Sequence, residues 1–476
     1  MKEKEEYMDQ SFRDSIGTIN EEGSRKWIYP KKPSGKHYNL RTWVSILLLT
    51  LLFSGPFIRV GGKPLLLFNI LERKFILFGQ VFWPQDFYIF VLVMLAGILF
   101  VVLFTVVFGR LFCGWVCPQT IFMEMVFRKI EYWIEGDFRQ QKKLNDSPWN
   151  SEKIRKKGIK HAIFFFISFL ISNTFLAYLI GSDELMKIIT DNPLDHIGSL
   201  VSILIFTGVF YWVFSWFREQ VCIVACPYGR LQGVMLDRNS IIVAYDYIRG
   251  EMRGKFKKNE NREEASKGDC IDCNQCVHVC PTGIDIRNGT QLECVNCTAC
   301  IDACDHMMEN VGLPKGLIRY DSEEGIVSQN RNIFSARTIA YMVVLVLIMG
   351  VMTFFLLSRT DVDATILKTY GQQYQKRENN QVSNLYNFKI VNKTFEDIDA
   401  EIRMIDGEGE IQIIGQQQDF VIPSEALAEG TFFLIRDMAK IDDRETDLKL
   451  GIFNKEGLLL DEVKTSFLAP VKRKKK

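Results

Sequence analysis

Residues 270–304 read CIDCNQCVHVCPTGIDIRNGTQLECVNCTACIDAC, and their eight cysteines repeat one spacing, C-x2-C-x2-C-x3-C, twice. The first run is Cys270, Cys273, Cys276 and Cys280, and the second is Cys294, Cys297, Cys300 and Cys304. Three thiolates on one tight loop can bind one face of a [4Fe–4S] cube, but the fourth must come from elsewhere in the chain. The spacing therefore predicts two [4Fe–4S] clusters within this segment.

Each run is expected to complete the cluster of the other, as in two-cluster bacterial ferredoxins. This assigns Cys270, Cys273, Cys276 and Cys304 to cluster 1, and Cys294, Cys297, Cys300 and Cys280 to cluster 2. Pro281 ends the local turn after Cys280, because proline has no N–H and a fixed φ. Two structural zinc sites are the alternative, but these usually combine two C-x2-C pairs with a longer insert. We interpret His278 and His306, within or beside the runs, as solvated loop residues.

Composition indicates a multi-pass membrane protein. The chain has 476 residues, enough for two to four domains, and a formal net charge of +1, which gives no general attraction to nucleic acid. The hydrophobic content of 47 % conceals long uncharged runs that alternate with highly charged loops. All 12 cysteines precede residue 305, and the need for eight thiolates suits a reducing compartment for this part of the chain.

Five apolar runs predict about five transmembrane helices. They are about Trp43 to Phe57, Phe87 to Phe108, Ala162 to Ile180, Ile197 to Phe217 and Thr338 to Leu357. The first is short for a bilayer core of ~30 Å, and Pro56 lies near its end. The 109–159 loop is rich in lysine and arginine, whereas Lys187 is the one basic residue of the 181–196 loop. The positive-inside rule therefore places the N-terminus and the cysteine runs in the cytoplasm.

The remaining sequence predicts a β-domain outside the membrane. From Asp361 onward, apolar and polar residues alternate in short runs that are separated by turn formers such as Asp406-Gly407. About seven short strands in this region suggest an immunoglobulin-like β-sandwich. The predicted organisation is a polar leader (1–39), four membrane helices (40–260), a two-cluster ferredoxin-like α+β insert (261–320), a fifth helix (336–358) and the β-domain (361–476).

The other four cysteines form an internal repeat. Cys113 and Cys117 follow the second predicted span, Cys222 and Cys226 follow the fourth, and each pair reads Cys-x3-Cys-Pro. Two such pairs at the same membrane depth could converge into one four-thiolate site. Soft thiolates favour Cu(I), zinc or an iron–sulfur cluster, and close thiols can also cycle through a disulfide. Ordinary buried cysteines at helix ends are the alternative, although the duplicated frame counts against it.

Methionines near these cysteines could add soft ligands for copper. Met123 and Met125 follow the first pair, and Met307 and Met308 follow the second cysteine run. Core packing is the better interpretation of each, because methionine commonly fills gaps in apolar cores.

Several segments together carry a family resemblance. These are 110–120 (RLFCGWVCPQT), 225–230 (ACPYGR), 300–305 (CIDACD) and 316–320 (GLIRY). They resemble the cytochrome c oxidase accessory protein CcoG family, also called FixG or RdxA, and the likeness extends over most of the chain. The resemblance implies a bacterial cytoplasmic-membrane protein that assists assembly of cbb3-type oxidase by reducing Cu(II) to Cu(I) for copper delivery. Oxidase assembly factors or copper chaperones are the partners it implies.

Three functions follow from these observations. The leading hypothesis is electron transfer from an unknown donor through the two clusters to transiently bound copper at Cys113, Cys117, Cys222 and Cys226, a cupric-reductase-like activity. The second is a quinol dehydrogenase subunit, because the arrangement is also similar to the membrane component that supplies periplasmic nitrate reductase; the fifth span and β-domain speak against it. The third is a non-redox assembly scaffold with structural clusters. Besides these partners, only membrane lipid is expected, and no nucleic acid.

Overall fold

The computed structural model describes residues 18–19, 24–60, 63–69, 74–77, 80–82, 87–192, 196–258, 260–262, 264–329, 335–358, 360–369, 371–378, 380–394, 396–415, 419–424, 426–441 and 443–470. Much of the predicted leader therefore lies outside the described residues. The chain folds as two units, one of Met1–Asn69 with Leu92–Gly350 and one of Ile70–Val91 with Val351–Lys476. The cysteine runs belong to the first unit and the predicted β-domain to the second.

Four helices within the described residues are long and apolar enough to cross a membrane: Phe87–Phe108, Ser151–Ile180, Ile197–Phe217 and Ala336–Leu357. Each matches a predicted span, and two have the predicted bounds. The prediction of about five spans is thus one more than length and composition support. The remaining predicted span, about Trp43 to Phe57, corresponds to the helix Lys36–Ser54, which begins earlier and carries Arg41.

The helix Lys36–Ser54 begins against the cysteine-rich segment. The buried carboxylate of Asp302 accepts hydrogen bonds from the backbone N–H groups of His37 and Tyr38, at 3.1 and 2.8 Å. The first N–H groups of a helix lack partners within it, and a carboxylate there also offsets the positive end of the helix dipole. Gly35 allows this approach, since a Cβ at this position would lie 2.4 Å from the Asp302 Cγ.

Short helices connect the membrane helices. They are Leu111–Trp115, Pro118–Thr120, Arg128–Ile134, Phe138–Asp146, Ser182–Thr190, Pro227–Met235, Tyr247–Gly250 and Glu323–Ser328, with π-helical turns at Ile121–Phe127, Val213–Phe217 and Val221–Ala225. Short strands lie at Arg59–Val60, Lys63–Pro64, Leu66–Asn69, Lys74–Leu77 and Gln80–Phe82. π-Turns are rare and occur frequently at functional sites. Two of these turns adjoin the Cys-x3-Cys-Pro motifs.

A two-stranded sheet closes the cysteine-rich segment. Ile242–Tyr245 pairs antiparallel with Ile318–Asp321, and between them lie the helices Gln275–His278 and Ala299–Val311 and the 3-10 turn Ile286–Asn288. Buried apolar residues and cysteines share one core, which includes Val243, Ile271, Ile301, Met308 and Leu317. The sheet thus joins the chain before the first cysteine run to the chain after the second.

The second unit contains the immunoglobulin-like β-domain that the alternation predicted. One antiparallel sheet has the order Glu410–Ile413, Leu427–Asp437, Gln381–Asn392, Val362–Lys368, with Gln375–Arg377 also paired to Gln381–Asn392. The other has the order Asp419–Ile422, Ile398–Met404, Glu445–Asn454, Leu459–Leu468. Alternate residues of these strands are buried, as a sheet with one face on a core requires.

Tyr386 lies at the centre of the β-domain core. Its side chain is fully buried, and its ring stacks on that of Phe432 with 5.3 Å between centroids. Its hydroxyl donates to the Ser466 carbonyl at 2.8 Å. This bond joins the two sheets, since Tyr386 and Ser466 belong to strands of different sheets.

We expect Tyr386→Ala to lower the free energy of unfolding of the β-domain by about 3–5 kcal/mol, because it removes a buried ring and leaves a cavity. Tyr386→Phe should cost about 1 kcal/mol, because it removes one hydrogen bond. Hydrogen exchange of the Gln381–Asn392 amides in the full chain measures both effects. Val421→Ala, on an exposed side chain, is the control, and equal exchange in all three variants would contradict this account of the core.

Candidate functional site: two groups of four thiols and a cysteine tetrad

The two cysteine loops share one backbone conformation. Asp272 and Asn274 flank Cys273 with φ of +50° and +55°, and Asn296 and Thr298 flank Cys297 with φ of +53° and +65°. Left-handed residues among ordinary ones form nests of N–H groups that attract anions, and such nests occur at many iron–sulfur sites. A β-branched residue such as Thr298 rarely adopts this conformation, which costs on the order of 1–3 kcal/mol. The shared strain therefore points to a shared ligand chemistry.

The structure brings Cys304 to the first cysteine run. Burial raises the pKa of the Cys304 thiol, and negative charge on Cys276, Cys270 and Cys273 raises it further. Cys304 lies on the helix Ala299–Val311, which packs against the helix that carries Cys276. The four cysteines expected to hold cluster 1 are therefore neighbours.

The structure likewise brings Cys280 to the second run. Burial raises the pKa of Cys300 well above its usual value, and the neighbouring thiols of Cys297, Cys294 and Cys280 contribute. Cys280, Cys294, Cys297 and Cys300 all line one small internal cavity, which Cys276 of the first run also borders. The four cysteines expected to hold cluster 2 surround a common space.

The chemistry of these eight thiols fits iron–sulfur clusters. Burial raises the pKa of Cys276 to about 12, of Cys294 to about 12 and of Cys297 to about 11. Buried thiolates need compensating positive charge, and metal ions deprotonate their coordinating thiols outright. Two groups of four soft donors, each with an apolar surround, match the ligand set of two cubes.

Buried arginines contact both cysteine loops. The Arg287 guanidinium donates to Asp272 Oδ1 at 2.7 Å, to Asn274 Oδ1 at 2.5 Å and to Asp285, and thereby ties down both left-handed residues of the first loop. Arg110 donates to the carbonyl oxygens of Cys294 and Leu292 in the second loop. Positive charge beside a cluster favours its reduced, more negative state.

The other four cysteines sit on short turns beside the membrane helices. Cys113 belongs to the helix Leu111–Trp115 and Cys222 to the π-turn Val221–Ala225. Cys117 and Cys226 each directly precede a short helix whose first residue is the motif proline. This repetition follows from chemistry, because proline is preorganised for the first position of a helix, where its missing N–H is not needed.

The two Cys-x3-Cys-Pro pairs converge, and we call Cys113, Cys117, Cys222 and Cys226 the tetrad. Burial raises the pKa of Cys222 to about 12, and charge on Cys117, Cys113 and Cys226 raises it further. Burial likewise raises the pKa of Cys113 to about 11, although its hydrogen bond with Gln232 opposes this. Within the described residues, no three His, Cys, Asp or Glu side chains are close enough to enclose a single metal ion.

The second cysteine loop packs directly on the chain between Cys113 and Cys117. Gly114, inside the first pair, lies so close to this loop that a Cβ would be 2.6 Å from the carbonyl oxygens of Val295 and Asn296. The Trp115 indole N–H donates to the Tyr320 hydroxyl at 2.9 Å, and that hydroxyl donates to the Asn296 carbonyl at 3.2 Å. The chain between Cys113 and Cys117 thus contacts the chain between Cys294 and Cys297.

Five residues that support these sites were not predicted from the sequence: Gly114, Trp115, Gln232, Arg110 and Arg287. The RLFCGWVCP segment was a signal for three of them, but only as part of a resemblance. The predicted auxiliary ligands pack as expected: Met123, Met125 and Met308 are buried, and Met307 packs against the cysteine-rich core. His278 and His306 are exposed, with His278 stacked on Phe138 and His306 bonded to Asn310.

Comparisons with known proteins identify three regions. A 4Fe-4S dicluster domain matches residues 217–323, and a 4Fe-4S binding domain matches residues 90–140. The domain described as an IG-like fold at the C-terminal of FixG matches residues 352–470. The first region contains both cysteine runs and the second Cys-x3-Cys-Pro pair, and the 90–140 region contains the first pair.

Named relatives cover most of the chain. Protein RdxB of Cereibacter sphaeroides is 35 % identical over 398 residues, which are 79 % of this chain and 82 % of that protein. The nitrogen fixation protein FixG of Rhizobium meliloti is 36 % identical over 303 residues, 62 % of this chain and 57 % of that one. The chain belongs to the CcoG (FixG/RdxA) family.

The FixG/RdxA family membership agrees with the structure. This chain is a membrane iron–sulfur protein of electron transfer, with an immunoglobulin-like domain at its C-terminal end. A crystal structure of a FixG-related protein from Vibrio parahaemolyticus covers 23 % of this chain and 97 % of its own, at 18 % identity and a TM-score of 0.20.

We expect Arg287→Ala to loosen the first cysteine loop and to lower the iron content of the purified protein from about eight to about four atoms per chain, because cluster 1 would be lost. Arg403→Ala removes an exposed arginine of the β-domain and is the control. Metal analysis of anaerobically purified protein measures the change. An unchanged iron content in Arg287→Ala would show that the hydrogen bonds of the Arg287 side chain do not hold the loop.

Proposed function

We propose that this protein carries single electrons to copper at the tetrad and reduces Cu(II) to Cu(I) for assembly of a cbb3-type cytochrome c oxidase. Cys270, Cys273, Cys276 and Cys304 hold one [4Fe–4S] cluster, and Cys294, Cys297, Cys300 and Cys280 hold the other; when bound, these clusters supply the electrons. The observation that carries the proposal is the close contact of Gly114, in the chain between Cys113 and Cys117, with the second cysteine loop.

Contact at Gly114 provides a short route for electrons. The Trp115 indole and the Tyr320 phenol form a hydrogen-bonded bridge from the tetrad segment to Asn296, which lies between two cluster 2 ligands. The Tyr320 hydroxyl is also near the thiols themselves. Burial raises the pKa of this hydroxyl, and negative charge on Cys297, Cys294 and Cys300 raises it further. Packed protein therefore fills the space between the electron source and the tetrad.

The tetrad has the ligands that Cu(I) prefers. Soft thiolates favour Cu(I), so binding at the tetrad stabilises the reduced product. Each Cu(II) ion takes one electron and becomes Cu(I). This step breaks no covalent bond and transfers no proton.

A third [4Fe–4S] cluster is the second candidate occupant of the tetrad. The match of a 4Fe-4S binding domain to residues 90–140 includes Cys113 and Cys117, and it favours this alternative. About twelve iron atoms per chain would support a third cluster, and about eight would support copper.

We expect replacement of all four tetrad cysteines by serine to leave both clusters visible in the optical spectrum and to abolish Cu(II) reduction. The clusters remain because their eight ligands are elsewhere in the chain. Wild-type protein, reduced with dithionite and freed of excess reductant, should convert about two Cu(II) ions per chain, one for each cluster. A Cu(I)-specific chelator measures the product.

Met125→Leu is the matched control, because it changes a buried residue eight positions after Cys117 at almost constant volume. It should reduce Cu(II) at the wild-type level. Full reduction by the four-serine variant would remove the tetrad from the mechanism and with it the proposed function.

The contacts of the helix Lys36–Ser54 support a fifth membrane crossing. Near its start, Arg41 donates to the Gly114 carbonyl at 2.6 Å, just beyond the end of the span Phe87–Phe108. Near its end, the Leu52 carbonyl accepts from Tyr178, at the far end of the next span, Ser151–Ile180. These two contacts lie on opposite sides of the bilayer, and 19 helical residues extend about 28 Å.

Five crossings would place the β-domain on the side opposite the clusters. The basic 109–159 loop then puts the clusters in the cytoplasm and the β-domain outside it, in a bacterial cytoplasmic membrane. We expect a protease added to intact spheroplasts to cut within residues 361–476 and to leave the cysteine runs uncut. Protection of the β-domain until the cells are lysed would contradict this topology.

A further inference from the structure

A cavity of about 440 Å³ lies in the first unit, apart from the eight cluster thiols and the tetrad. Its walls include three aromatic side chains, Trp27, Tyr29 and Trp216, and its polar lining includes Gln141, Ser215 and His161. Asn145 and four charged residues complete the lining, and the charged residues are Lys157, Lys160, Glu131 and Glu135. A cavity of this volume, with three aromatic side chains and many hydrogen-bonding groups, is large enough for a small organic ligand that has a planar ring and polar substituents.

Membrane-embedded residues form part of the cavity wall. His161 belongs to the span Ser151–Ile180, and Ser215 and Trp216 belong to the span Ile197–Phe217. Trp216 is 51 % exposed and stacks on Trp212, which is 47 % exposed. Aromatic side chains of this kind mark the interface between the bilayer and water. The cavity therefore lies where a lipid-soluble molecule can enter with its polar end first.

Ion pairs hold the carboxylates of the lining in place. Burial alone would raise the pKa of Glu131, but the charges of Arg218, Lys160 and Arg128 outweigh it and lower that pKa to about 2. Glu135 forms ion pairs with Lys157 at 3.0 Å and with Lys160 at 2.9 Å. The charges of the two lysines and two glutamates thus nearly balance, which disfavours a strongly anionic or cationic ligand. Among the ionisable nitrogen and carboxyl groups of the lining, the imidazole of His161 is the one outside these ion pairs.

Residues that are adjacent in the chain line this cavity and a second cavity beside the cluster 2 cysteines. Tyr29 lines the cavity, and the next residue, Pro30, lines a second, small cavity together with Tyr132 and the cluster 2 ligand Cys297. Tyr132 follows Glu131 in the same helix and donates to the Pro30 carbonyl at 3.1 Å. The residue after Pro30, Lys31, donates its backbone N–H to His278 within the first cysteine run, at 2.7 Å.

We propose that this cavity binds the headgroup of a membrane quinol and is the place where the protein receives its electrons. The ligand class follows from the cavity: planar aromatic walls, balanced charge, hydrogen-bonding groups, an imidazole, and access from the bilayer. The inference rests on the proposed function, because electrons delivered to copper must come from a donor that the clusters can reach.

Oxidation of the quinol to the quinone releases two electrons and two protons. Both O–H bonds of the hydroquinone would break, and the two electrons would pass one at a time to the iron–sulfur groups that the eight cysteines would hold. His161 accepts each proton in turn and releases it to water, and the product is the quinone. The Nδ1 atom of His161 is 2.9 Å from the Tyr211 hydroxyl. When Nδ1–H donates to that hydroxyl, Nε2 is the base.

The test measures binding and reduction separately, on full-length protein in lipid nanodiscs without oxygen. Binding of the naphthoquinone menadione is measured by equilibrium dialysis, and reduction by menadiol is followed by bleaching of cluster absorbance. Ser215→Phe, which fills the cavity, should lose binding and reduction. His161→Asn should keep binding and slow reduction at least about tenfold, because it removes the base. His306→Asn, an exposed histidine outside the cavity, is the control and should match wild type.

Dithionite, which needs no cavity, should bleach the clusters in every variant and so shows that each is folded and loaded. Wild-type binding and bleaching rates in Ser215→Phe, or a failure of menadiol to bleach wild-type protein that dithionite bleaches, would overturn the quinol site. Dithionite-reduced His161→Asn should still reduce Cu(II) fully. Failure of the quinol site therefore leaves the proposed function intact, and failure of Cu(II) reduction in wild type would be a separate result.

Discussion

In the proposed ligand assignment, each cluster depends on one thiolate that the other cysteine run supplies. Cys280 must reach the second loop and Cys304 the first, so the chain between the runs has to turn back and hold both loops together. Metal binding free energy is then folding free energy for this segment, because the ligands meet only in the folded chain. The left-handed residues Asp272, Asn274, Asn296 and Thr298 are strained, and ligand binding at these loops offsets that strain.

The rest of the first unit is arranged around these loops. Asp302, two residues before Cys304, binds the start of the helix Lys36–Ser54, and Gly114 allows the second loop to touch the tetrad segment. The sheet of Ile242–Tyr245 with Ile318–Asp321 closes the segment from both chain directions. Membrane helices, tetrad and cysteine loops are therefore one packed structure, which is what short-range electron transfer requires.

Sequence predicted the parts of this structure that local chemistry determines. The bounds of Phe87–Phe108 and Ile197–Phe217 were correct because bilayer thickness sets the length of an apolar run. The β-domain followed from alternation, because each of its strands buries one face. The expected cysteine groups followed from ligand spacing, and the structure makes their members neighbours.

Contacts between distant residues could not be predicted in this way. Nothing local in the sequence shows that Gly114 meets Asn296, or that Arg287 braces Asp272 and Asn274. The helix Lys36–Ser54 begins before the apolar run at about Trp43, and it includes Arg41, whose charge is buried and bonded to the Gly114 carbonyl. The cavity beside His161 draws on four separate parts of the chain, and no single motif marks it.

Iron and acid-labile sulfide analysis of anaerobically purified full-length protein, combined with Mössbauer spectroscopy, tests the central claim most directly. The account predicts at least about eight iron and eight sulfide per chain, with the spectrum of [4Fe–4S] cubes. About two zinc atoms per chain, with no sulfide, would contradict it.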